Sequence, residues 1–306
     1  MAAIDLDGVT KRFGDVTAVR NLDLTVPEGA VFGFLGPNGA GKSTTINILL
    51  DFVRPTDGSA RVLGMDAQAE SVAVRGRTGV LPEGYDVYHR LSGRKHVEFA
   101  MRSKGVYEET DPDDVLDRVG LADAADRRAG GYSKGMRQRL ALGMALVGDP
   151  DLLVLDEPSS GLDPGGAKEM RDIVRTEADR GATVFFSSHV LGQVEAVCDR
   201  VGIMRDGELV AEDSIEGLRD AVGSEETLVV TVDGGVDDDA LDAVRSLSGV
   251  SAATVDGDAV TVSCDADAKT SVIGALEDAG VTVSDFQTEE TSLEDLFLSY
   301  TEEVSA

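Results

Sequence analysis

Cysteine and histidine are scarce in this chain of 306 residues. It holds two cysteines, Cys198 and Cys264, and three histidines, His89, His96 and His189. Cysteines so few and so far apart exclude a disulfide scaffold and a cysteine-rich zinc module. The few histidines argue against a histidine-rich metal site. No run of about 18 apolar residues occurs, so the sequence offers no membrane-spanning helix. The longest apolar candidate, Leu140 to Val147, stops at Gly148-Asp149-Pro150. The start, Met1-Ala2-Ala3-Ile4-Asp5, has neither the basic residues nor the apolar stretch of a signal peptide. A cytoplasmic protein is expected. Basic residues are also short, 28 against 57 acidic ones, for a net charge of −29. That balance argues against a broad basic nucleic-acid surface and against docking on anionic lipid by charge alone.

What is present points to a folded chain. The hydrophobic fraction of 42% is too high for a disordered acidic tail. The length predicts one large domain or two smaller ones. Lysine is rare, seven against 21 arginines, and carboxylates are spread along the whole chain. Such a surface repels itself at ordinary salt and is screened within about 3 Å at 1 M salt. The expectation is a salt-loving source organism.

Two composition zones divide the chain, with a linker expected at Ala221-Val222-Gly223-Ser224-Glu225. The first zone, 1–222, alternates short apolar strands with helical stretches. Val31-Phe32-Gly33-Phe34-Leu35, Leu152-Leu153-Val154-Leu155 and Thr183-Val184-Phe185-Phe186 read as fully buried strands. Continuous apolar strands separated by helices predict an α/β fold with a mostly parallel sheet covered on both faces. Leu91 to Val147 shows no strand-like run and reads as an inserted helical subdomain, placed at about 85–147. The second zone, 225–306, carries 20 acidic and two basic residues. Its order, strand, helix, hairpin at Asp256-Gly257-Asp258, helix, strand, predicts a small ferredoxin-like βαββαβ domain. Ser292-Leu293-Glu294-Asp295 reads as the capped start of a last helix.

Gly36-Pro37-Asn38-Gly39-Ala40-Gly41-Lys42-Ser43 matches GxxxxGK[ST], between a buried strand and a helix. Its glycines let backbone N–H groups surround a triphosphate, and the helix N-terminus adds positive potential. Lys42 is expected on the β- and γ-phosphates and Ser43 on Mg²⁺, followed by Thr44. Asp156 and Glu157 end a buried strand, where ligands bind in parallel sheets. Asp156 can hold the metal shell while Glu157 faces an attacking water.

Tyr132-Ser133-Lys134-Gly135-Met136-Arg137-Gln138-Arg139 stands about 20 residues before Asp156. With this third element the chain resembles the ATP-binding subunit of an ABC transporter. The resemblance covers residues 4 to about 215, and more weakly the ending Leu293-Glu294-Asp295-Leu296-Phe297-Leu298. Family signatures of the Leu-Ser-Gly-Gly-Gln type close on ATP held by the other subunit, and here Ser133 and Gly135 match. Tyr132, Lys134 and Met136 depart from that pattern in the manner of exporter-type ATPases. Leu91-Ser92-Gly93-Arg94 lacks the second glycine, and Ser92 is expected to be a helix N-cap.

The resemblance also implies adenine stacking by Phe13, a loop across the dimer at Ser160-Gly161-Leu162-Asp163, and a γ-phosphate switch at His189. It places Glu83 where the family usually has Gln, beside Mg²⁺. It implies an Mg-ATP hydrolase with ATP as substrate, working as a head-to-tail dimer on the inner face of the cell membrane. Catalysis falls to Glu157, His189 and Lys42, nucleotide binding to Phe13, Gly36, Asn38, Gly39, Ala40, Gly41, Lys42, Ser43 and Thr44. A separate transmembrane permease subunit would dock at Gly84 to Lys95, with Tyr85, Tyr88 and His89 as contacts. The rivals are a soluble ATPase acting on nucleic acid or ribosomes, and an importer ATPase. The single ATP unit, the missing coiled coils and the acidity disfavour the first. Tyr132-Ser133-Lys134 and the small C-terminal domain disfavour the second.

Overall fold

The computed structural model describes residues 1–217 and 225–289. The chain divides into two compact units, Met1–Ile215 and Glu216–Ala306. In the first, β1 (Ala2–Phe13) and β2 (Val16–Pro27) pair antiparallel. Ile4, Leu6, Leu22, Leu24 and Val26 are buried while Asp5, Asp7, Asp23 and Thr25 between them are exposed. That period-2 alternation lays one face on the core. β3 (Val31–Leu35) and α1 (Lys42–Leu49) follow. β4 (Asp57–Val62) and β5 (Met65–Asp66) then complete a four-stranded sheet in the order β2-β1-β4-β5. This antiparallel sheet is not among the strands expected from the sequence.

The central sheet has six strands. α2 (Ser71–Arg77) leads into β6 (Thr78–Leu81). Three helices come next: α3 (Gly93–Lys104), α4 (Pro112–Arg118) and α5 (Lys134–Leu146). They are the expected helical insertion, and Ser92 caps α3 as expected, its hydroxyl accepting the Lys95 N–H. β7 (Leu152–Asp156), α6 (Pro164–Asp179), β8 (Thr183–Ser188), α7 (Leu191–Glu195), β9 (Arg200–Arg205) and β10 (Glu208–Ser214) finish the unit. The strand order is β10-β9-β3-β8-β7-β6, parallel throughout except β10.

Core packing joins the two sheets. Ile4, Leu22 and Leu24 share a cluster with Phe32, Phe34, Phe185 and the α1 residues Ile46 and Leu49. The Phe185 ring lies 5.9 Å from that of Phe32 and 5.0 Å from that of Phe34. Each such ring, fully buried, contributes about 1.5–3 kcal/mol. An ion pair fastens the helical insertion to the α/β core. Arg118 of α4 places its guanidinium on Glu177 of α6, Nε to Oε1 3.2 Å, with the carboxylate buried.

The second unit holds β11 (Glu225–Asp233), α8 (Asp238–Arg245), β12 (Val250–Asp256), β13 (Ala259–Asp265), α9 (Lys269–Asp278) and β14 (Thr282–Glu289). This is the expected βαββαβ order. The sheet is antiparallel in the order β12-β13-β11-β14. Leu228, Val230, Val260 and Val262 pack with Leu241 and Val244 of α8 and Val272 and Leu276 of α9. The helix expected from Ser292, and the Leu293–Leu298 segment, lie outside the described residues.

Candidate nucleotide site

The site sits at the carboxyl ends of β3, β7 and β8. All five residues of β3 are buried. The chain then leaves the sheet through a turn that glycine alone fits. A Cβ on Gly36 would stand 2.5 Å from the Met204 carbonyl oxygen. Gly41 has φ 110°, and a Cβ there would meet the Ala18 carbonyl oxygen at 2.6 Å. Backbone from two other strands therefore walls the loop, and α1 begins at Lys42.

Lys42 is 6% exposed. Its Nζ donates to the carbonyls of Gly36 at 2.6 Å and Pro37 at 3.3 Å. Burial pushes its pKa below the ordinary value, against the opposing pull of Glu157, Asp156 and Glu83. A cleft of about 280 Å³ opens in front of the loop. Asn38, Gly39, Gly41, Lys42, Ser43, Thr44, Glu83, Asp156 and Glu157 all line it. The sequence-predicted loop, strand-end carboxylates and Glu83 therefore meet in one place. Ala40, 3% exposed, packs behind the loop.

At the ends of β7 and β8 a small network fixes the carboxylates. Asp156 lies opposite Ser187 in the parallel register. The Ser187 hydroxyl donates to Asp156 Oδ1. The Glu157 N–H reaches the Ser187 carbonyl at 3.2 Å and its hydroxyl at 3.3 Å. Glu157 has φ 51°, a left-handed backbone that a side chain seldom adopts. His189 Nδ1 lies 2.8 Å from Glu157 Oε1. Ser187 was not singled out from the sequence. The available signal was a polar residue directly after four apolar ones at the end of a parallel strand.

The donor set suits a hard divalent cation. Ser43 and Asp156 both line the cleft and offer oxygens to it. Among the described residues no group of three His, Cys, Asp or Glu side chains is close enough to hold a metal. Mg²⁺ is usually bound by one or two protein oxygens, with phosphate and water completing the octahedron, so this arrangement fits it.

Phe13, Ser133, Gly135 and Asp163 do not line this cleft. Phe13, 49% exposed, ends β1, and the Lys11 ammonium sits 4.8 Å from its ring centroid. Ser133, Gly135 and Asp163 line a second cleft with Met136 and Gly161. Ser133 Oγ caps α5, accepting the Met136 N–H at 3.2 Å. Asp163 Oδ1 caps α6, accepting the Gly166 N–H at 3.0 Å. In one chain, then, these residues stand apart from the phosphate loop.

Known proteins fit this geometry. The ABC transporter family model matches residues 19–160. The model for the C-terminal domain of DrrA1-3-like ATP-binding proteins matches residues 214–301. The chain is 35% identical to the daunorubicin resistance ATP-binding protein DrrA3 of Streptomyces coeruleorubidus, over 98% of this chain and 96% of that one. It is 38% identical to the bacitracin transport ATP-binding protein BcrA of Bacillus licheniformis, over 69% of each. A solved ATP-binding subunit of an ABC transporter superposes with a TM-score of 0.64 at 23% identity, covering 72% of this chain and 93% of that one. That likeness shows the fold. Among the described residues no helix is long and apolar enough to cross a membrane. A phosphate loop faced by two strand-end carboxylates, and a relative 35% identical over 98% of this chain, place it in a family of ATPases: it belongs to the ATP-binding subunits of ABC transporters, of the DrrA and BcrA type.

Proposed function

We propose that this subunit hydrolyses Mg-ATP to drive export through a separate membrane-spanning partner, at the inner face of the cell membrane. The observation that carries the reading is the convergence of Lys42, Ser43, Asp156 and Glu157 on one cleft, with His189 on Glu157. The names of the relatives, one of daunorubicin resistance and one of bacitracin transport, support export as the direction of transport.

In this reading the loop N–H groups and Lys42 hold the triphosphate. Ser43 and Asp156, and Glu83 with them, would hold Mg²⁺, which would supply charge neutralisation for the phosphates. Glu157 accepts a proton from the attacking water, and His189 donates its Nδ1–H to the carboxylate and so aims it. Phe13 stacks on adenine. Ser133, Gly135 and Asp163, which stand apart from the cleft within one chain, serve the nucleotide of a partner subunit in a head-to-tail dimer. The charge that develops on the γ-phosphoryl group then meets fixed dipoles from both subunits.

The membrane partner docks at the groove beside β6. Tyr85, Leu81 and Pro82 line it with Phe99 of α3 and Met144 of α5, and the Phe99 ring is 57% exposed. Tyr88 and His89 stand beyond the groove, Tyr88 against His96 and His89 against Asp86. No nucleic-acid partner is assigned. Residues 1–222 carry the ATP chemistry, and 225–306 regulate it or steady the dimer. The acidic surface fits a salt-rich cytoplasm.

Calorimetric ATP titration and phosphate release, each with and without chelated Mg²⁺, test this reading. Binding that survives chelation while release stops is expected. Release that persists without Mg²⁺ overturns the metal assignment.

A further inference from the structure

Ser187 has no place in the chemistry above, yet it is completely buried. A hydroxyl carries one proton and two lone pairs. Here the proton goes to Asp156 Oδ1, and the oxygen takes the Glu157 N–H at 3.3 Å. One side chain therefore ties the two consecutive carboxylates at the end of β7 to the neighbouring strand.

The tie answers two local problems. Asp156 is 6% exposed and its carboxylate has lost most of its water. A charge-assisted hydrogen bond offsets part of that loss and fixes the plane of the carboxylate. Glu157 holds a left-handed backbone at φ 51°, which persists only where its surroundings enforce it. The N–H of Glu157 is shared between the Ser187 carbonyl and hydroxyl, so the strained residue is held from β8. Register makes this possible, because Ser187 lies directly opposite Asp156.

We propose that Ser187 is a positioning residue that sets the Asp156 carboxylate for Mg²⁺ and, through the same hydroxyl, the backbone of Glu157. The proposal rests on the Mg-ATP reading above. Removing the hydroxyl frees the Asp156 carboxylate to rotate and leaves its Oδ1 without a donor. The phosphate loop leaves the adjacent strand β3, and the Ser187 hydroxyl bonds to Asp156 and Glu157 rather than to the loop.

The test is calorimetric titration of ATP into the full-length protein at stepped Mg²⁺ concentrations, for wild type, Ser187→Ala and Ser187→Thr. Ser187→Ala is expected to raise the Mg²⁺ needed for half-maximal tightening of ATP binding by on the order of tenfold or more, the worth of one hydrogen bond to a charged group. Its affinity for ATP without Mg²⁺ should stay at the wild-type value. Ser187→Thr keeps the hydroxyl and should recover most of the Mg²⁺ response despite its extra methyl. If Ser187→Ala does not fold, Ser187→Cys, with a weak S–H donor, is read in the same way and should also lose the Mg²⁺ response. A packing role predicts the reverse order, with Thr worse than Ala in this fully buried place. An unchanged Mg²⁺ response in folded Ser187→Ala or Ser187→Cys overturns the proposal alone. A wild type that binds no ATP overturns the reading beneath it.

Discussion

His189 Nδ1 lies 2.8 Å from Glu157 Oε1, so a residue just beyond β8 holds the side chain just beyond β7. The Glu157 side chain is 7% exposed and the His189 side chain 47%. A buried carboxylate is thus paired with a half-exposed imidazole.

Replacing His189 with Ala should lower single-turnover hydrolysis by up to about 10²–10⁴, the whole worth of the general base that it aims. ATP affinity should change little, because Lys42 and the loop remain. Rapid-quench kinetics alongside a binding titration separates the two. Loss of binding equal to the loss of rate would contradict the role given to His189.

ATP affinity should fall at alkaline pH as Lys42 loses its proton. Burial sets the Lys42 pKa below 10.5, so the fall begins earlier than for an exposed lysine. The charged form is the one that binds, so affinity is full below that pKa and lost above it. Lys42→Arg stays charged throughout and should flatten the profile. A wild-type affinity that holds constant through pH 10.5 would place the phosphate contact elsewhere.

Much of this site was legible because it is local. The stretch Gly36–Ser43 announces itself by residue type and by its place between a buried strand and a helix. The pairing of Asp156 with Ser187 depends on the register of β7 against β8, which joins residues 31 positions apart and has no local signature. The antiparallel pair β1 and β2 was hidden in a similar way. Its strands do alternate, as Leu22-Asp23-Leu24-Thr25-Val26 shows, but the register between them shifts four times, between Ala2 and Ile4, Leu6 and Val9, Val9 and Lys11, and Lys11 and Arg12, so which residues pair has no local signature. Ser133 was legible through its match to the serine of the family signature. That its Oγ serves as a cap follows only from the backbone geometry.

The surface charge predicts salt dependence. With a net charge of −29, self-repulsion is strong in dilute buffer and screened at high ionic strength. The melting temperature should rise steadily from low to multimolar KCl. A flat or falling curve would remove the basis for assigning the chain to a salt-rich cytoplasm.

A chain ending at Ser224 should fold and bind ATP as the full protein does, because each unit has its own core. None of the cleft residues belongs to the second unit. The change should appear in dimerisation or in coupling to the membrane partner. A shortened chain that is folded by circular dichroism yet binds no ATP would show that 225–306 belongs to the nucleotide site.

The most direct test of the account is Glu157→Gln, followed by size exclusion and phosphate release in Mg-ATP. The substitution removes the carboxylate that accepts the proton and keeps its shape. Turnover should drop at least about 10²-fold. ATP should stay bound, and the protein should elute as a stable dimer that falls apart when Mg²⁺ is chelated. Hydrolysis near the wild-type rate would contradict the assignment of Glu157, and with it the mechanism.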